Sequence, residues 1–167
     1  MECDLKNISR IPRSKHITHS ETAKKIEPCI INGENLFLKF AQHGWAYNNE
    51  KKAYIILQNE DFLPKLRYFD DKNKILAITD VGKCIKEIKD FNLKDIHNGN
   101  YEKELVNMID IMHNKYGLYH NDLRPHNICI SEDNNIKLID FDRCCKREVE
   151  DKYVFRTRPD LFKQYYR

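Results

Sequence analysis

The sequence predicts an α+β fold in two parts: a strand-rich part over residues 1–80 and a smaller helical part with one hairpin over residues 81–167. Four short apolar runs, separated by polar turns, lie between residues 26 and 79. Beyond residue 100, apolar residues recur at the helix period, and two further apolar runs follow. This order is typical of two lobes joined by a connector, which we expect at residues 79–83.

Composition indicates a folded protein, because 41% of the 167 residues are hydrophobic and 11% are aromatic. The formal net charge of +3 is too small to indicate nucleic-acid binding by itself. The basic segment 156–167 leaves contact with RNA or an acidic partner open. Apolar runs fall short of the roughly 18–20 residues that span a bilayer, and no signal-peptide core follows Met1. We therefore expect a cytoplasmic protein without a membrane segment.

The six cysteines do not form a recognisable metal or disulfide pattern. No pair has the CxxC spacing of a zinc site, and adjacent cysteines cannot easily bridge each other. We expect reduced thiols, as in cytosolic proteins. The six are Cys3, Cys29, Cys84, Cys129, Cys144 and Cys145.

A β-hairpin is predicted near the start of the chain, after a polar and basic segment, 1–16, that is interpreted as a loose arm. Two apolar runs, Ile26–Ile31 and Leu36–Phe40, flank the sequence NGEN. Asn-Gly between apolar runs favours a tight turn, because both residues tolerate positive φ.

A helix is predicted over Ala46–Asn59, because Ala53, Ile56 and Leu57 can share a face with Glu50 one turn earlier. Two further strands, joined by a polar turn, are predicted next: Lys65–Phe69 and Lys74–Thr79.

The second part is predicted to begin with a short helix in KCIKEIKDF, residues 83–91. A longer helix over 101–117 is expected to end at Gly117, because glycine commonly terminates helices. Two short strands, in ICIS and IKLID, flank the polar turn EDNN and predict a hairpin. The longer helix carries an apolar stripe at helical spacing: Leu105, Met108, Ile109 and Met112.

Polar side chains gather around this second hairpin. Asn127 precedes its first strand and Asp140 follows its second, so pairing of the strands brings the two residues together. A carboxylate and an amide oxygen are hard ligands, which suit Mg²⁺ better than zinc. Asp122 lies one loop away and is placed to orient a hydroxyl, while His120 is expected to hold the shape of the loop.

The segment HNDLRPHN, residues 120–127, resembles the catalytic loop of protein-kinase-like phosphotransferases, with the pattern H-x-D-x-x-x-x-N. IDFD, residues 139–142, resembles the metal-binding D-F-G of that family, with Asp142 in place of glycine. The order of loop, hairpin and D-F-x motif is part of the resemblance. It implies a protein-kinase-like bilobal fold, with a strand-rich N-terminal lobe and a truncated helical C-terminal lobe.

The resemblance implies a nucleotide side of the site. Lys39 matches the strand lysine that contacts the α- and β-phosphates of ATP, and Glu50 matches the helix glutamate that pairs with it. Glu60 is an alternative partner. ILAITDVG resembles the strand and hinge that carry adenine, with Asp80 and its neighbours as the hydrogen-bonding edge.

The acceptor side is implied in the same way. Asp122 would accept or orient the hydroxyl proton, and Arg124 would neutralise charge on the transferred group. Asn127 and Asp140 would hold Mg²⁺ against the phosphates. The implied cofactors are therefore ATP and Mg²⁺, and the implied function is that of a small atypical Ser/Thr protein kinase with a protein substrate or regulatory partner.

Three departures from the family pattern keep alternatives open. The region matching the glycine-rich loop contains no glycine between Ile17 and Ile31. Asn121 replaces the arginine that reads a phosphorylated activation loop, so control by such phosphorylation is not expected. Only 25 residues follow Asp142, so the peptide-docking platform is expected to be absent or minimal. These features favour, as a second hypothesis, a kinase-fold binding module that regulates a partner without catalysis.

A small-molecule or sugar kinase is a third hypothesis. DFD in place of DFG also occurs in lipopolysaccharide-core kinases and in aminoglycoside phosphotransferases. VEDKYVF, residues 149–155, is loosely similar to a segment in the small atypical kinases of the tRNA-threonylcarbamoylation complex.

Overall fold

A computed structural model describes residues 9–10, 23–88 and 100–146. The first part is an antiparallel sheet of five strands, which confirms the strand-rich prediction. Along the sheet the order is β1-β2-β3-β5-β4. The strands are β1 (Ser9–Arg10), β2 (Ala23–Ile31), β3 (Glu34–Ala41), β4 (Leu66–Asp70) and β5 (Ile75–Thr79).

The prediction of a loose arm over 1–16 is wrong for the two residues of β1. They pair with Ile30 and Cys29 of β2. An edge strand exposes unpaired N–H and C=O groups, and a short preceding segment can satisfy them. The rest of the arm, the first residues of the glycine-free region (17–22) and the segment 147–167 lie outside the described residues.

The Asn-Gly pair forms the predicted turn between β2 and β3. Asn32 and Gly33 have φ of 52° and 81°, the left-handed conformation that a two-residue hairpin turn requires at both central positions. Pairing from Ile31 opposite Glu34 onward fixes the register of β3, and with it the face on which every β3 side chain lies.

The predicted helix after β3 is α1 (Gly44–Ile56), which begins and ends slightly earlier than expected. It buries Tyr47, Glu50, Ala53 and Tyr54. This face packs against the sheet and also against a short 3-10 turn, Phe141–Arg143, from the second part of the chain. Helix α1 therefore contacts both parts of the protein.

The prediction of a short helix over 83–91 is wrong for the described residues. Lys83 and Cys84 form strand β6, and only Ile85–Glu87 form a single 3-10 turn. In β6, Cys84 lies opposite Cys129 in an antiparallel pair. This pairing with a strand distant in sequence overrides the local helical tendency.

The longer helix is present as α2 (Asn100–Asp110), which continues as one π-helical turn over Ile111–Lys115. Gly117, with φ of 61°, ends it as predicted. The Leu118 N–H donates to the Met112 carbonyl at 2.9 Å and satisfies part of the helix end. All four residues of the predicted apolar stripe are buried: Leu105, Met108, Ile109 and Met112.

The second hairpin forms as predicted from β7 (Ile128–Ile130) and β8 (Ile136–Leu138), and β6 joins it to make a three-stranded sheet. The largest buried cluster combines side chains from both parts, including Tyr54, Leu76, Met112 and Phe141. The two parts therefore share one core along their junction. Within the described residues, no helix has the length and apolarity needed to cross a bilayer.

Candidate functional site

A buried ion-pair network joins the two parts of the chain. The Lys39 ammonium lies 2.9 Å and 2.7 Å from the two carboxylate oxygens of Glu50. It also donates to Oδ1 of Asp140. Lys39 is 5% exposed and Glu50 1% exposed, so the network is largely shielded from water. Glu50 rather than Glu60 is the partner, because Glu60 instead binds Lys115 and Tyr116.

The strand period explains how Lys39 reaches this network. Leu36 and Leu38 pack in the smaller cluster on the outer face of the sheet. Side chains alternate between faces along a strand, so Lys39 lies on the opposite face, with Phe37 and Ala41, which pack against the larger cluster. A lysine on this inner face can stay buried because neighbouring carboxylates compensate its charge.

The network holds two carboxylates for one ammonium, and this sets its electrostatics. Burial raises the pKa of Glu50 to about 7, and the neighbouring Asp140 carboxylate adds to that rise while Lys39 opposes it. Burial acts to lower the pKa of Lys39, but the two carboxylates outweigh it and hold the pKa above its ordinary value. Burial acts to raise the pKa of Asp140, yet Lys39 keeps it below the usual range.

Asp140 is held by its backbone as well as by Lys39. It has φ of 65° and ψ of 60°, a left-handed conformation that residues other than glycine seldom adopt. The next residue, Phe141, is fully buried and packs edge-on against Tyr54 of α1 with ring centroids 5.6 Å apart. Asn49 of α1 donates to the Asp142 carbonyl at 3.0 Å. Helix α1 thereby fixes both the Asp140 motif and Glu50.

A second polar group surrounds Asp122, which is 1% exposed. The Asn127 side-chain nitrogen donates to the Asp122 backbone carbonyl at 2.8 Å and to its carboxylate at 3.1 Å. The Arg124 guanidinium lies 2.9 Å from Oδ2 of the same carboxylate. Arg124 is therefore an ion-pair partner of Asp122 and not a purely solvated side chain.

The hairpin places the Asn127 and Asp140 segments side by side, as predicted. Ile128 pairs with Leu138, and the Ile139 N–H donates to the Asn127 carbonyl at 3.0 Å. His120 Nε2 lies 3.0 Å from the Ile139 carbonyl, and burial lowers the pKa of its imidazole. His120 thus bridges the loop to the Asp140 motif, in agreement with its predicted role in loop shape.

The connector between the two parts is shaped by Gly82. Its φ is 103°, and a Cβ built there would lie 2.1 Å from the Ile130 carbonyl oxygen, so only glycine fits. The Asp80 carboxylate accepts from the Gly82 N–H at 2.9 Å and stabilises this turn. The Thr79 N–H donates to the Lys65 carbonyl at 3.0 Å. Of the predicted hydrogen-bonding edge, Thr79 therefore already has a backbone partner.

Sequence reasoning missed two residues of α1 that support the site. Tyr54 donates to Glu50 Oε1 at 3.2 Å, and its spacing of four residues from Glu50 was a usable signal. Asn49 had no comparable signal, because its acceptor lies 93 residues away.

The donor set suits a hard cation bound together with phosphate. Among the described residues, no group of three His, Cys, Asp or Glu side chains could hold a metal on its own. Mg²⁺ in proteins is commonly held by one or two carboxylates, with phosphates and water completing its shell. The Asp140 carboxylate and the Asn127 amide oxygen fit that pattern, because the Asn127 nitrogen is the atom turned toward Asp122.

Comparison with known proteins bears on the same residues. The sequence model described as "Protein kinase domain" matches residues 46–160, a stretch that includes Glu50 and the 120–142 segment but not Lys39. The chain is 36% identical over 129 residues to CBL-interacting serine/threonine-protein kinase 26 of Arabidopsis thaliana, covering 74% of this chain and 28% of that protein.

Two other plant proteins show similar likeness. CBL-interacting serine/threonine-protein kinase 3 of Arabidopsis thaliana is 32% identical over 150 residues, 86% of this chain and 33% of its own length. CBL-interacting protein kinase 10 of Oryza sativa subsp. japonica is 32% identical over 78 residues, 44% of this chain and 17% of its own length. The chain thus spans about a third or less of the length of the curated relatives it matches.

Proposed function

The chain belongs to the protein kinase family, and on that premise we propose that it is an ATP- and Mg²⁺-dependent phosphotransferase that acts on serine or threonine hydroxyls. The observation that carries this proposal is the Lys39–Glu50–Asp140 network beside the Asp122–Asn127 pair. It supplies a cation for phosphates, oxygen ligands for a metal and a carboxylate for the acceptor, which are the parts that phosphoryl transfer requires.

In the reaction we propose, the acceptor hydroxyl oxygen bonds to the γ-phosphorus of ATP, and the bond from that phosphorus to the β-phosphate oxygen breaks. Asp122 accepts the hydroxyl proton, and ADP leaves. Lys39, oriented by Glu50, binds phosphate oxygens of ATP. Asp140 and Asn127 would hold Mg²⁺, and the bound ion would supply neutralisation of the phosphate charge. Asp80 and Val81 contribute backbone groups for adenine.

Arg124 requires one rearrangement in this scheme. Its guanidinium now neutralises Asp122 at 2.9 Å. To act as a base, the Asp122 carboxylate must accept a hydrogen bond from the substrate hydroxyl in place of the one from Arg124. Arg124 is then available to bind the transferred phosphoryl group. The exchange keeps the charge of each group compensated, because an anion replaces the carboxylate as the partner of Arg124.

A kinase-fold binding module without catalysis is the second candidate. It is favoured by the same two ion pairs, Lys39 with Asp140 and Arg124 with Asp122, because they compensate the charges of the site without a ligand. The relatives named as CBL-interacting kinases carry a protein partner in their names. We propose that this chain likewise recognises a protein in the cytoplasm, either as the substrate of a kinase or as the partner of a regulator.

The resemblance to lipopolysaccharide-core kinases and to the tRNA-threonylcarbamoylation kinases stays a prediction. Its tail match, 149–155, lies outside the described residues. Transfer to a sugar or aminoglycoside panel but not to protein would favour this branch.

The test is transfer of label from γ-labelled ATP with Mg²⁺ by the wild type and by Asp122→Asn. Asn is nearly isosteric but cannot accept the proton, so we expect transfer to fall by about 10²–10⁴-fold. The matched control is Asp133→Asn, in an exposed hairpin turn, which should leave transfer unchanged.

A thermal shift with ATP and Mg²⁺ checks that each variant folds and binds nucleotide. Binding without transfer by the wild type would favour the binding module, and equal labelling by wild type and Asp122→Asn would overturn the role of Asp122.

A further inference from the structure

Two basic side chains meet beside the Asp122 loop. Lys86 lies in the 3-10 turn Ile85–Glu87 that follows the connector, and His126 lies in the turn Pro125–Asn127. The Lys86 ammonium and His126 Nε2 are 2.6 Å apart, although 40 residues separate them in sequence. Both side chains are exposed, so the pair forms part of the surface around the candidate site.

The chemistry of this contact fixes the charge of the pair. An ammonium group has no acceptor, so Lys86 must donate and His126 Nε2 must accept, with the imidazole neutral. A neutral imidazole accepting at Nε2 carries its proton at Nδ1. Each member of the pair therefore retains N–H donors for another acceptor.

The pair adjoins the groups proposed to act on the hydroxyl. His126 immediately precedes Asn127, which binds Asp122, and lies two residues after Arg124. Arg124 is already paired with Asp122, so Lys86 brings a further positive charge to the surface beside this loop. The pair therefore presents an ammonium group and an imidazole N–H next to the proposed position of the reacting hydroxyl.

We propose that Lys86 and His126 form an anion-accepting subsite that selects protein acceptors carrying an acidic side chain close to the phosphorylated serine or threonine. This inference rests on the proposed function and adds its substrate class. A carboxylate at this position receives N–H donors from both residues and restores the charge balance of the pair. A basic acceptor segment meets Lys86 and Arg124 and is repelled.

An acidic peptide fits this surface better than a nucleic acid does. The subsite is one point formed by two side chains, whereas nucleic-acid backbones are bound by basic groups spread along many phosphates. The formal net charge of +3 over 167 residues is likewise too small to attract nucleic acid strongly. A short acidic segment beside a hydroxyl needs only the one contact.

The experiment uses the full chain and three fluorescent peptides with the same central serine and with acidic, neutral or basic flanking residues. Binding is measured by anisotropy without ATP, and phosphorylation is measured as kcat/KM with ATP and Mg²⁺. We expect the acidic peptide to be preferred over the basic one by about two- to fivefold at low salt, the span of one exposed ion pair, and by less at high salt. Lys86→Glu should reverse this ratio, and His126→Gln should reduce it.

Lys72→Glu is the matched control, because Lys72 is an exposed lysine in the β4–β5 turn and the charge change is identical. The ratio between peptides in that variant should equal the wild-type ratio. Melting temperatures show whether each variant is folded, and the ratio within one variant is independent of its total activity.

The outcomes separate the two proposals. Phosphorylation with equal or basic preference overturns the subsite and leaves the kinase intact. Acidic preference in binding, lost in Lys86→Glu, without any phosphorylation overturns the kinase and supports the subsite. Tighter binding of a single-stranded RNA oligonucleotide than of the acidic peptide, with the same loss in Lys86→Glu, overturns the peptide as the ligand.

Discussion

Lys39 and Asp140 are 101 residues apart in sequence and form an ion pair in the buried junction between the two parts of the protein. Lys39 also binds Glu50, so one lysine connects strand β3, helix α1 and the segment after β8. A cation shared by three elements fixes their relative position. The site is therefore also a structural joint, and changes to it should affect both stability and function.

Lys39→Met is expected to destabilise the protein strongly. It leaves the Glu50 and Asp140 carboxylates buried without their cation, which typically costs about 3–5 kcal/mol. Urea unfolding followed by circular dichroism measures the free energy of unfolding. Lys115→Met is the control, because it removes a more exposed ion pair to Glu60, and water screens such pairs so that they contribute little to stability. Adding Asp140→Asn to Lys39→Met should recover stability, and its failure to do so would contradict the network.

Stability should respond to pH through Glu50. Its pKa is raised to about 7 in the folded protein, so protonation favours folding. The contribution is full below the unfolded pKa of about 4.3 and is lost as the pH rises through about 7. Glu50→Gln mimics the protonated form and does not titrate. The melting temperature of the variant minus that of the wild type should therefore increase as the pH rises from about 5 to about 8.

Glu60→Gln is the control for that series. Hydrogen bonds from Lys115 and Tyr116 lower the pKa of Glu60, so its contribution is present above its unfolded pKa and is lost only as the pH falls below that range. Its melting curve should therefore run parallel to that of the wild type from about pH 5 to pH 8. A Glu50→Gln curve that also stays parallel would contradict the raised pKa.

Gly82→Ala should destabilise the protein far more than Gly44→Ala. The new Cβ would meet the Ile130 carbonyl at 2.1 Å in a left-handed backbone, and we expect a loss of about 2 kcal/mol or more. Gly44→Ala, at the start of α1, has nothing within 4 Å of the added Cβ and should be neutral or slightly stabilising. Melting temperatures of the two variants test this, and equal values would show that the connector does not run close to β7.

The rate at which each cysteine is alkylated in the folded protein should be lower the more deeply the thiol is buried. A hydrogen bond with Cys84 and burial raise the pKa of Cys129, and burial raises that of Cys144 to about 12, so both should stay unreactive in the folded protein. Cys145, which is partly exposed, provides the internal comparison with its neighbour. Alkylation mapped by mass spectrometry before and after denaturation measures this. Rapid labelling of Cys144 in the native protein would contradict the packing of the Phe141–Arg143 turn.

Local patterns predicted most elements because their causes are local. Asn32 and Gly33 tolerate positive φ wherever they occur, and the stripe from Leu105 to Met112 repeats at the helix period in the sequence itself. The helix prediction is wrong over the described residues 83–88, because Cys84 pairs with Cys129, a partner that no local window of sequence contains.

The same distinction holds at the site. One hairpin is enough to predict that the Asn127 and Asp140 segments lie together, because Asn127 precedes its first strand and Asp140 follows its second. The sequence leaves the choice between Glu50 and Glu60 open, because Glu50 lies within the predicted helix and Glu60 directly follows it. In the structure Glu50 is on the buried face of α1 and binds Lys39, whereas Glu60 lies beyond the helix and binds Lys115.

Short-range sterics and periodicity specify the α+β order of elements, the loop and hairpin that carry Asp122, Asn127 and Asp140, and the chain reversals at Gly33 and Gly117, so these features can be predicted from local sequence. Three contacts arise only when the elements pack: Lys39 joins Glu50 to Asp140, Arg124 neutralises Asp122, and Lys86 contacts His126. Those contacts link residues from separate elements, and their geometry depends on how whole elements pack. Packing is set by the shared core, which no single segment of the chain encodes.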